Sequence, residues 1–315
     1  MAKDFLQIEG VSRAELELLL DDASKNLPIA EQKVARKESL AGRVVANMFF
    51  EDSTRTRCSF ETAVHRLGGE VFNLTESGSS TRKGESLVDT ALNVEAMGVS
   101  AIVVRTSVSG GAALVAKRVR CPVINAGDGR HEHPTQGLLD LLTLREALGR
   151  LDGRVIAIVG DIANSRVARS AIHALTTFAA RVRLVGPPTL VSEAYRHITT
   201  RPDLVSIHHD LDAILHDLDA IMMLRIQNER AAGGSVAGDY REMYGLTPAR
   251  AAQLPGHAIV LHPGPVNRGV EIDDTVADDL PRSRILRQVT QGVAARMAVL
   301  ERVLSQAGTT ATVAA

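Results

Sequence analysis

Short apolar runs rich in valine and isoleucine alternate along the chain with segments in which apolar residues recur every three or four positions. The first kind suits strands covered on both faces and the second suits the helices that cover them, so the pattern predicts an α/β fold built on parallel sheets. Leu16, Leu19, Leu20 and Ala23 share one helical face, and Ser12 with Glu15 three positions on gives the capping-box spacing that starts a helix. Strands are expected at 44–50, 70–74, 101–105 and 123–125, with helices between them that end at glycines such as Gly68 and Gly98.

A helix beginning near Pro134 runs through Leu138, Leu141, Leu142 and Arg145 and stops around Gly149, after which a second series opens at 154–159. Further strands are expected at 182–185, 204–208, 220–224 and 258–261. The expected architecture is therefore two doubly wound parallel-sheet domains, 1–140 and 150–281, with a cleft between them. A final amphipathic helix, 282–305, presents Ile285, Val289, Val293, Met297, Leu300 and Leu304 and is expected to pack back on the first domain, with a frayed tail from Ala307.

Composition narrows the function. The 315 residues are 45% hydrophobic, enough for a sizeable core, and 36 basic against 37 acidic residues leave a formal charge of -1. Such balance gives no bulk attraction for nucleic acid or anionic lipid. The N-terminus carries Lys3, Asp4 and Glu9 in place of a signal-peptide core, and no stretch reaches the ~20 apolar residues of a membrane span. A cytoplasmic protein is expected. Cys58 and Cys121 are too few for a disulfide framework or a cysteine zinc site, and both read as reduced thiols. No cofactor and no metal cluster is expected.

The densest chemical signal is Phe49-Phe50-Glu51-Asp52-Ser53-Thr54-Arg55-Thr56-Arg57, where an apolar strand runs into hydroxyls and guanidinium groups at a helix start. Free backbone N–H groups and the positive end of the helix dipole suit an anion, and Arg55 adds a planar charged fork. On local pattern alone the competing reading is an N-cap beside solvated arginines. Arg105 ends an apolar strand, where open α/β sheets place ligand contacts. His133 and Gln136 lie in a loop before a helix; in isolation such a histidine is more often a cap or a surface residue.

Together with His133-Pro134-Thr135-Gln136 and Arg105, this run resembles the carbamoyl-phosphate signature of the aspartate and ornithine carbamoyltransferase family, and the resemblance extends from about Ser39 to the final helix. It implies that Ser53, Thr54, Arg55 and Thr56 bind the phosphate of carbamoyl phosphate. It further implies that Thr56, Arg105 and His133 hold its carbonyl oxygen and that Gln136 meets its amide. Three donors on one oxygen make an oxyanion-stabilising site. The polar run from Ser77 to Glu85 reads by itself as a surface loop. In the family a serine and a lysine from this loop enter the neighbouring subunit's site, which implies such roles for Ser79 and Lys83 and a homotrimer with shared active sites.

In the second half, Val159-Gly160-Asp161-Ile162-Ala163-Asn164-Ser165-Arg166 follows a strand and opens a helix, so a dinucleotide site is a rival. The glycine fingerprint is missing, because Asp161, Ile162 and Ala163 stand where a pyrophosphate needs close, uncharged backbone. This segment and Leu224-Arg225-Ile226-Gln227 resemble the aspartate-binding motifs, which assigns Arg166, Arg225 and Gln227, with Lys83, to a dicarboxylate. Unaided, either arginine reads as a surface residue. Arginines repel the cationic side chain of ornithine, and the loop from His262 through Gly264 and Pro265 to Glu271 lacks the cysteine found beside the corresponding His and Pro in ornithine enzymes. Backbone carbonyls at Gly264 and Pro265 are assigned to the carbamoyl phosphate amino group.

The resemblance thus implies carbamoyl transfer from carbamoyl phosphate to L-aspartate, a step of de novo pyrimidine biosynthesis, with Arg55 and Lys83 neutralising the departing phosphate. Regulatory or dihydroorotase-like chains are possible partners. An ornithine carbamoyltransferase, a nucleotide-binding oxidoreductase and a non-catalytic scaffold are the alternatives. Cys58, expected to face the core from its helix, has no covalent role in this reading.

Overall fold

Strands and helices alternate along the chain as the patterning predicts, and the computed structural model describes residues 3–75, 85–226, 237–279 and 281–311. The chain divides into two compact units, one of Met1–Leu139 with Val289–Ala315 and the other of Asp140–Gln288. Among the described residues no helix is long and apolar enough to cross a membrane.

The first unit opens with α1 (Arg13–Ala30), whose N-cap Ser12 and Glu15 form the expected capping box, and whose Leu16, Leu19, Leu20 and Ala23 are buried. Strands β1 (Val44–Phe49), β2 (Glu70–Thr75), β3 (Ala101–Thr106) and β4 (Val123–Asp128) form a parallel sheet in the order β2-β1-β3-β4. Helices α2 (Thr54–Arg66), α3 (Leu87–Ala96) and α4 (Gly111–Ala116) make the crossovers, and α5 (Pro134–Leu148) leads into the second unit. β1, β3 and β4 are almost wholly buried, which is why they read as mainly apolar runs instead of alternating ones, with Asn47, Asn125 and Asp128 among the buried polar exceptions.

The second unit carries β5 (Val155–Val159), β6 (Arg181–Val185), β7 (Val205–His208), β8 (Ala220–Met223) and β9 (Ile259–Leu261), all parallel in the order β7-β6-β5-β8-β9. Helix α6 (Arg166–Thr177) joins β5 to β6, while short α7 (Ala237–Tyr244), α8 (Pro248–Ala251) and α9 (Asp274–Ala277) surround β9. The connections from β6 to β7 and from β7 to β8 use 3-10 turns at Glu193–Ile198, Pro202–Leu204 and Asp212–Asp217 instead of full α-helices. Pro187, Pro188 and Pro202 deny the first of these connections donors that a regular helix needs.

The last helix, α10 (Ile285–Ala311), continues into the stretch expected to fray. Met297, Leu300 and Leu304 of its expected apolar face are buried, but Val289 is exposed and Val293 only partly buried. Gln288, Gln291 and Gly292 are buried nearer its start, and from Ala294 through Leu300 burial runs all round the helix, where small alanines let neighbours approach from several sides. From Val289 on, α10 belongs to the first unit: Asn26 and Lys37 donate to the Glu301 carboxylate at 2.9 and 3.1 Å, and Arg43 donates to the Leu304 carbonyl at 3.2 Å.

Candidate active site

In an open parallel sheet the crevice for a ligand lies beyond the carboxyl ends of the strands, where the strand order reverses. In the first sheet that point falls between β1 and β3, and both sequence-assigned segments flank it. The chain leaves β1 through Phe50, Glu51 and Asp52 and enters α2 at Ser53, the N-cap, whose hydroxyl accepts the Thr56 N–H at 3.4 Å. Ser53 is half-buried and Thr56 buried, while Thr54 and Arg55 are exposed. The positive end of the α2 dipole and the adjacent guanidinium give the junction an anion-attracting character.

Arg105 pairs in register with Phe49, and its carbonyl accepts the Phe50 N–H at 2.8 Å, so the backbone delivers it beside the start of α2. Its own side chain is held from two sides. Nη1 donates to the Ala126 carbonyl at 3.1 Å and Nη2 to Glu51 at 3.2 Å. Glu51 was not singled out from the sequence, although it lies within the signature; its role emerges only from the β1–β3 pairing.

A buried scaffold carries the chain from β4 to His133. Asn125 donates to Asp128 at 2.8 Å, and Glu132 accepts the N–H groups of Ile8 and Glu9 at 2.8 and 3.0 Å, pinning this turn to the N-terminal segment. His133, Thr135 and Gln136 are all buried at the entry to α5. His131, two residues before, has its pKa raised by the Asp128 carboxylate at 3.1 Å. Ligand atoms of Glu9, His131 and Glu132 fall within 4.8 Å of one another, but Glu132 and His131 are already engaged by these backbone and Asp128 contacts.

In the second sheet the reversal falls between β5 and β8, and again both assigned segments follow those strands. Arg166 is the first residue of α6, behind the N-cap Ser165, and is buried. Arg225 is half-buried, two residues past β8. The turn after β5 is closed by its own side chains, because Asp161 accepts from both the backbone and side-chain nitrogens of Asn164 at 3.1 and 2.9 Å. A Cβ on Gly160 would stand 3.2 Å from Leu224 and from the Tyr240 hydroxyl, so the two strand ends meet closely here. That leaves a carboxylate where a pyrophosphate would have to sit, against the dinucleotide reading. Tyr240 is buried, and burial first, then Glu271, pushes its hydroxyl pKa upward.

Gly264 and Pro265 follow β9, joined by a cis peptide, with Gly264 at φ +65°, a conformation a side chain would strain. Three assigned residues, Ser79, Lys83 and Gln227, lie outside the described residues. Cys58 corrects an expectation: it is exposed, because α2 buries Ser59, Phe60, Ala63 and Val64 instead. Burial and the neighbouring Glu95 push the Cys121 thiol up to about 12, which keeps it protonated and unreactive.

Comparison with known proteins agrees with this layout. Residues 3–146 match the model of the aspartate/ornithine carbamoyltransferase carbamoyl-P binding domain, and residues 152–303 match the model of the Asp/Orn binding domain. The chain belongs to the aspartate/ornithine carbamoyltransferase family. Within it, the chain is 49% identical over 309 residues to the aspartate carbamoyltransferase catalytic subunit of Gluconacetobacter diazotrophicus, covering 98% of this chain and 94% of that one. It is 49% identical to the corresponding subunit of Rhodospirillum rubrum, covering 95% and 93%. The aspartate transcarbamoylase of Trypanosoma cruzi in complex with carbamoyl aspartate and phosphate superposes with a TM-score of 0.85 at 33% identity, covering 95% of this chain and 94% of that one. The catalytic subunit of M. Jannaschii aspartate transcarbamoylase gives 0.84 at 34% identity, covering 97% and 99%.

Proposed function

We propose that the chain is a carbamoyltransferase that joins the carbamoyl group of carbamoyl phosphate to the amine of L-aspartate, releasing phosphate, as a step of pyrimidine biosynthesis. The observation that carries this reading is the anchored Arg105 guanidinium beside the Ser53–Thr56 helix start at the strand-order reversal of the first sheet. An anion-attracting helix start and a fixed cation on the neighbouring strand suit a phosphate carrying a carbonyl to be polarised.

In this reading Ser53, Thr54, Arg55 and Thr56 bind the phosphate, and Gln136 with the Gly264 and Pro265 carbonyls orients the amide. The neutral amine of aspartate attacks the carbonyl carbon, the oxyanion is held by Thr56, Arg105 and His133, and the bond to the phosphate oxygen then breaks as the amine loses its proton. Burial of Thr56, Arg105 and His133 favours such stabilisation, since fixed donors act more strongly where water is excluded. Arg166, Arg225 and Gln227 take the two carboxylates of aspartate, a task matched to planar guanidinium forks.

The proposal also includes a front domain of 1–140 completed by 282–305, an aspartate domain of 150–281, and a cytoplasmic homotrimer in which Ser79 and Lys83 serve a neighbouring site. Family membership and the named relatives support these parts.

The test is formation of carbamoyl aspartate by the purified chain from carbamoyl phosphate and L-aspartate, with L-ornithine in parallel and no metal or nucleotide added. Turnover with aspartate alone is expected. Turnover with ornithine would overturn the assignment of Arg166 and Arg225 while keeping that of the first unit, and no turnover with either would overturn the reading.

A further inference from the structure

The ladder between β8 and β9 ends at the pair Met222 and Leu261, yet the segments beyond it carry Arg225 on one side and Gly264-Pro265 on the other. Beyond the ladder a side chain links the two segments: Asn267 Nδ2 donates to the Ile226 carbonyl at 3.2 Å. Asn267 is itself fixed, because its backbone N–H donates to Glu271 Oε1 at 2.5 Å.

That same carboxylate oxygen faces His262 Nε2 at 3.1 Å, and both side chains are fully buried. The Gly264 N–H donates to His262 Nδ1 at 2.7 Å, which makes Nδ1 the acceptor and leaves the ring proton on Nε2, directed at Glu271. The His262 backbone is held in turn, its N–H donating to Gln288 at 3.0 Å and Gln288 to Asp140 at 2.7 Å. One buried carboxylate therefore sets both ends of the turn, Gly264 through His262 and Asn267 directly. Burying a carboxylate is costly, and an apolar or amide group would hold an ordinary surface turn at less expense.

We propose that Asn267 and Glu271 are positioning residues that lock the Arg225-Ile226 segment to the Gly264-Pro265 turn, so that the guanidinium assigned to the dicarboxylate is held in one fixed place beside the carbonyls assigned to the carbamoyl phosphate amide. The inference rests on the proposed role of Arg225 in binding aspartate. Neither residue touches substrate in it. Asn267 acts through the Ile226 backbone, one residue from the guanidinium-bearing Arg225, and Glu271 acts through His262 and Asn267.

The experiment compares the full chain with Asn267→Leu, which keeps the volume and removes the donor, and with Asn267→Gln, which keeps an amide donor. Kinetics with aspartate, equilibrium binding of carbamoyl phosphate in the absence of aspartate, and amide exchange of residues 223–226 without substrate are measured. Losing one such hydrogen bond predicts an aspartate KM about five- to tenfold higher in Asn267→Leu. Carbamoyl phosphate binding and melting temperature stay unchanged, exchange at 223–226 becomes faster, and Asn267→Gln returns towards the parent values. An unchanged aspartate KM, or an equal weakening of both substrates, overturns the proposal even if exchange quickens. Should the parent chain make no carbamoyl aspartate, the proposed function falls separately, and unchanged exchange in Asn267→Leu then overturns the lock itself.

Discussion

Arg296 of α10 donates from Nη1 to the hydroxyl of Ser59 on α2 at 3.0 Å, with its guanidinium 5.1 Å above the Phe60 ring centroid. A buried arginine thereby braces the helix that begins at Ser53, from the opposite end of the sequence. Ser59→Ala removes one acceptor of that network and is expected to lower unfolding stability by about 1–2 kcal/mol. Arg296→Ala also empties the space over Phe60, and about 3 kcal/mol or more is expected. Urea denaturation checks both, and equal effects of the two substitutions would contradict the bracing role.

Arg105 is held at the Ala126 carbonyl and at Glu51, with its fork at a fixed orientation. If it donates to the oxyanion, Arg105→Ala should lower kcat by ~100-fold or more. Arg105→Lys should recover little, because a point charge on a flexible stem cannot span both anchors. Near-normal turnover of Arg105→Ala would remove the residue from the chemistry. Glu51→Gln, with weaker grip on the guanidinium, should fall between the parent chain and Arg105→Ala.

Strands β3, β5, β8 and β9 were legible because each is buried along its whole length, so its sequence is a nearly bare apolar run between turn residues, whereas β2 and β7 are more exposed and carry polar positions. The helix starts at Ser12 and Ser53 were legible because capping is local chemistry. What escaped is non-local. Glu51 meets Arg105 across 54 positions and Asn267 meets Ile226 across 41, and no spacing rule links such pairs. The orientation of Cys58 escaped because α2 carries few apolar residues, and its buried face is set by Ser59, Phe60, Ala63 and Val64. The connections around β7 escaped because short 3-10 turns have no apolar period long enough to read.

Arg225 follows β8 and Arg166 opens α6, at the two strand ends that flank the order reversal of the second sheet. Charge-assisted bonds to a carboxylate are worth roughly 1.5–3 kcal/mol each, so Arg225→Gln should raise the aspartate KM by roughly 10- to 100-fold. Binding of carbamoyl phosphate to the same variant, measured alone by calorimetry, should match the parent chain. A parallel loss of both would show that the substitution disturbs more than the dicarboxylate contacts.

His131 is partly exposed and pairs with the buried Asp128 carboxylate at 3.1 Å, which raises its pKa above the ordinary histidine value of 6.5. A histidine whose folded pKa is raised binds its proton more tightly in the native state, so its stabilising effect is fully present below 6.5. The effect is lost as pH rises from there through the higher folded value. The expected result is that the parent chain loses more unfolding free energy on going from acid to alkaline conditions across this window than His131→Gln does. Denaturant midpoints at pH values on either side of the window supply the measurement. Identical pH dependence of the two chains would show that the proton on His131 contributes nothing to the fold. The turn it stabilises is the one that sets His133 at the entry to α5, so turnover of His131→Gln should also fall more steeply with rising temperature than that of the parent chain.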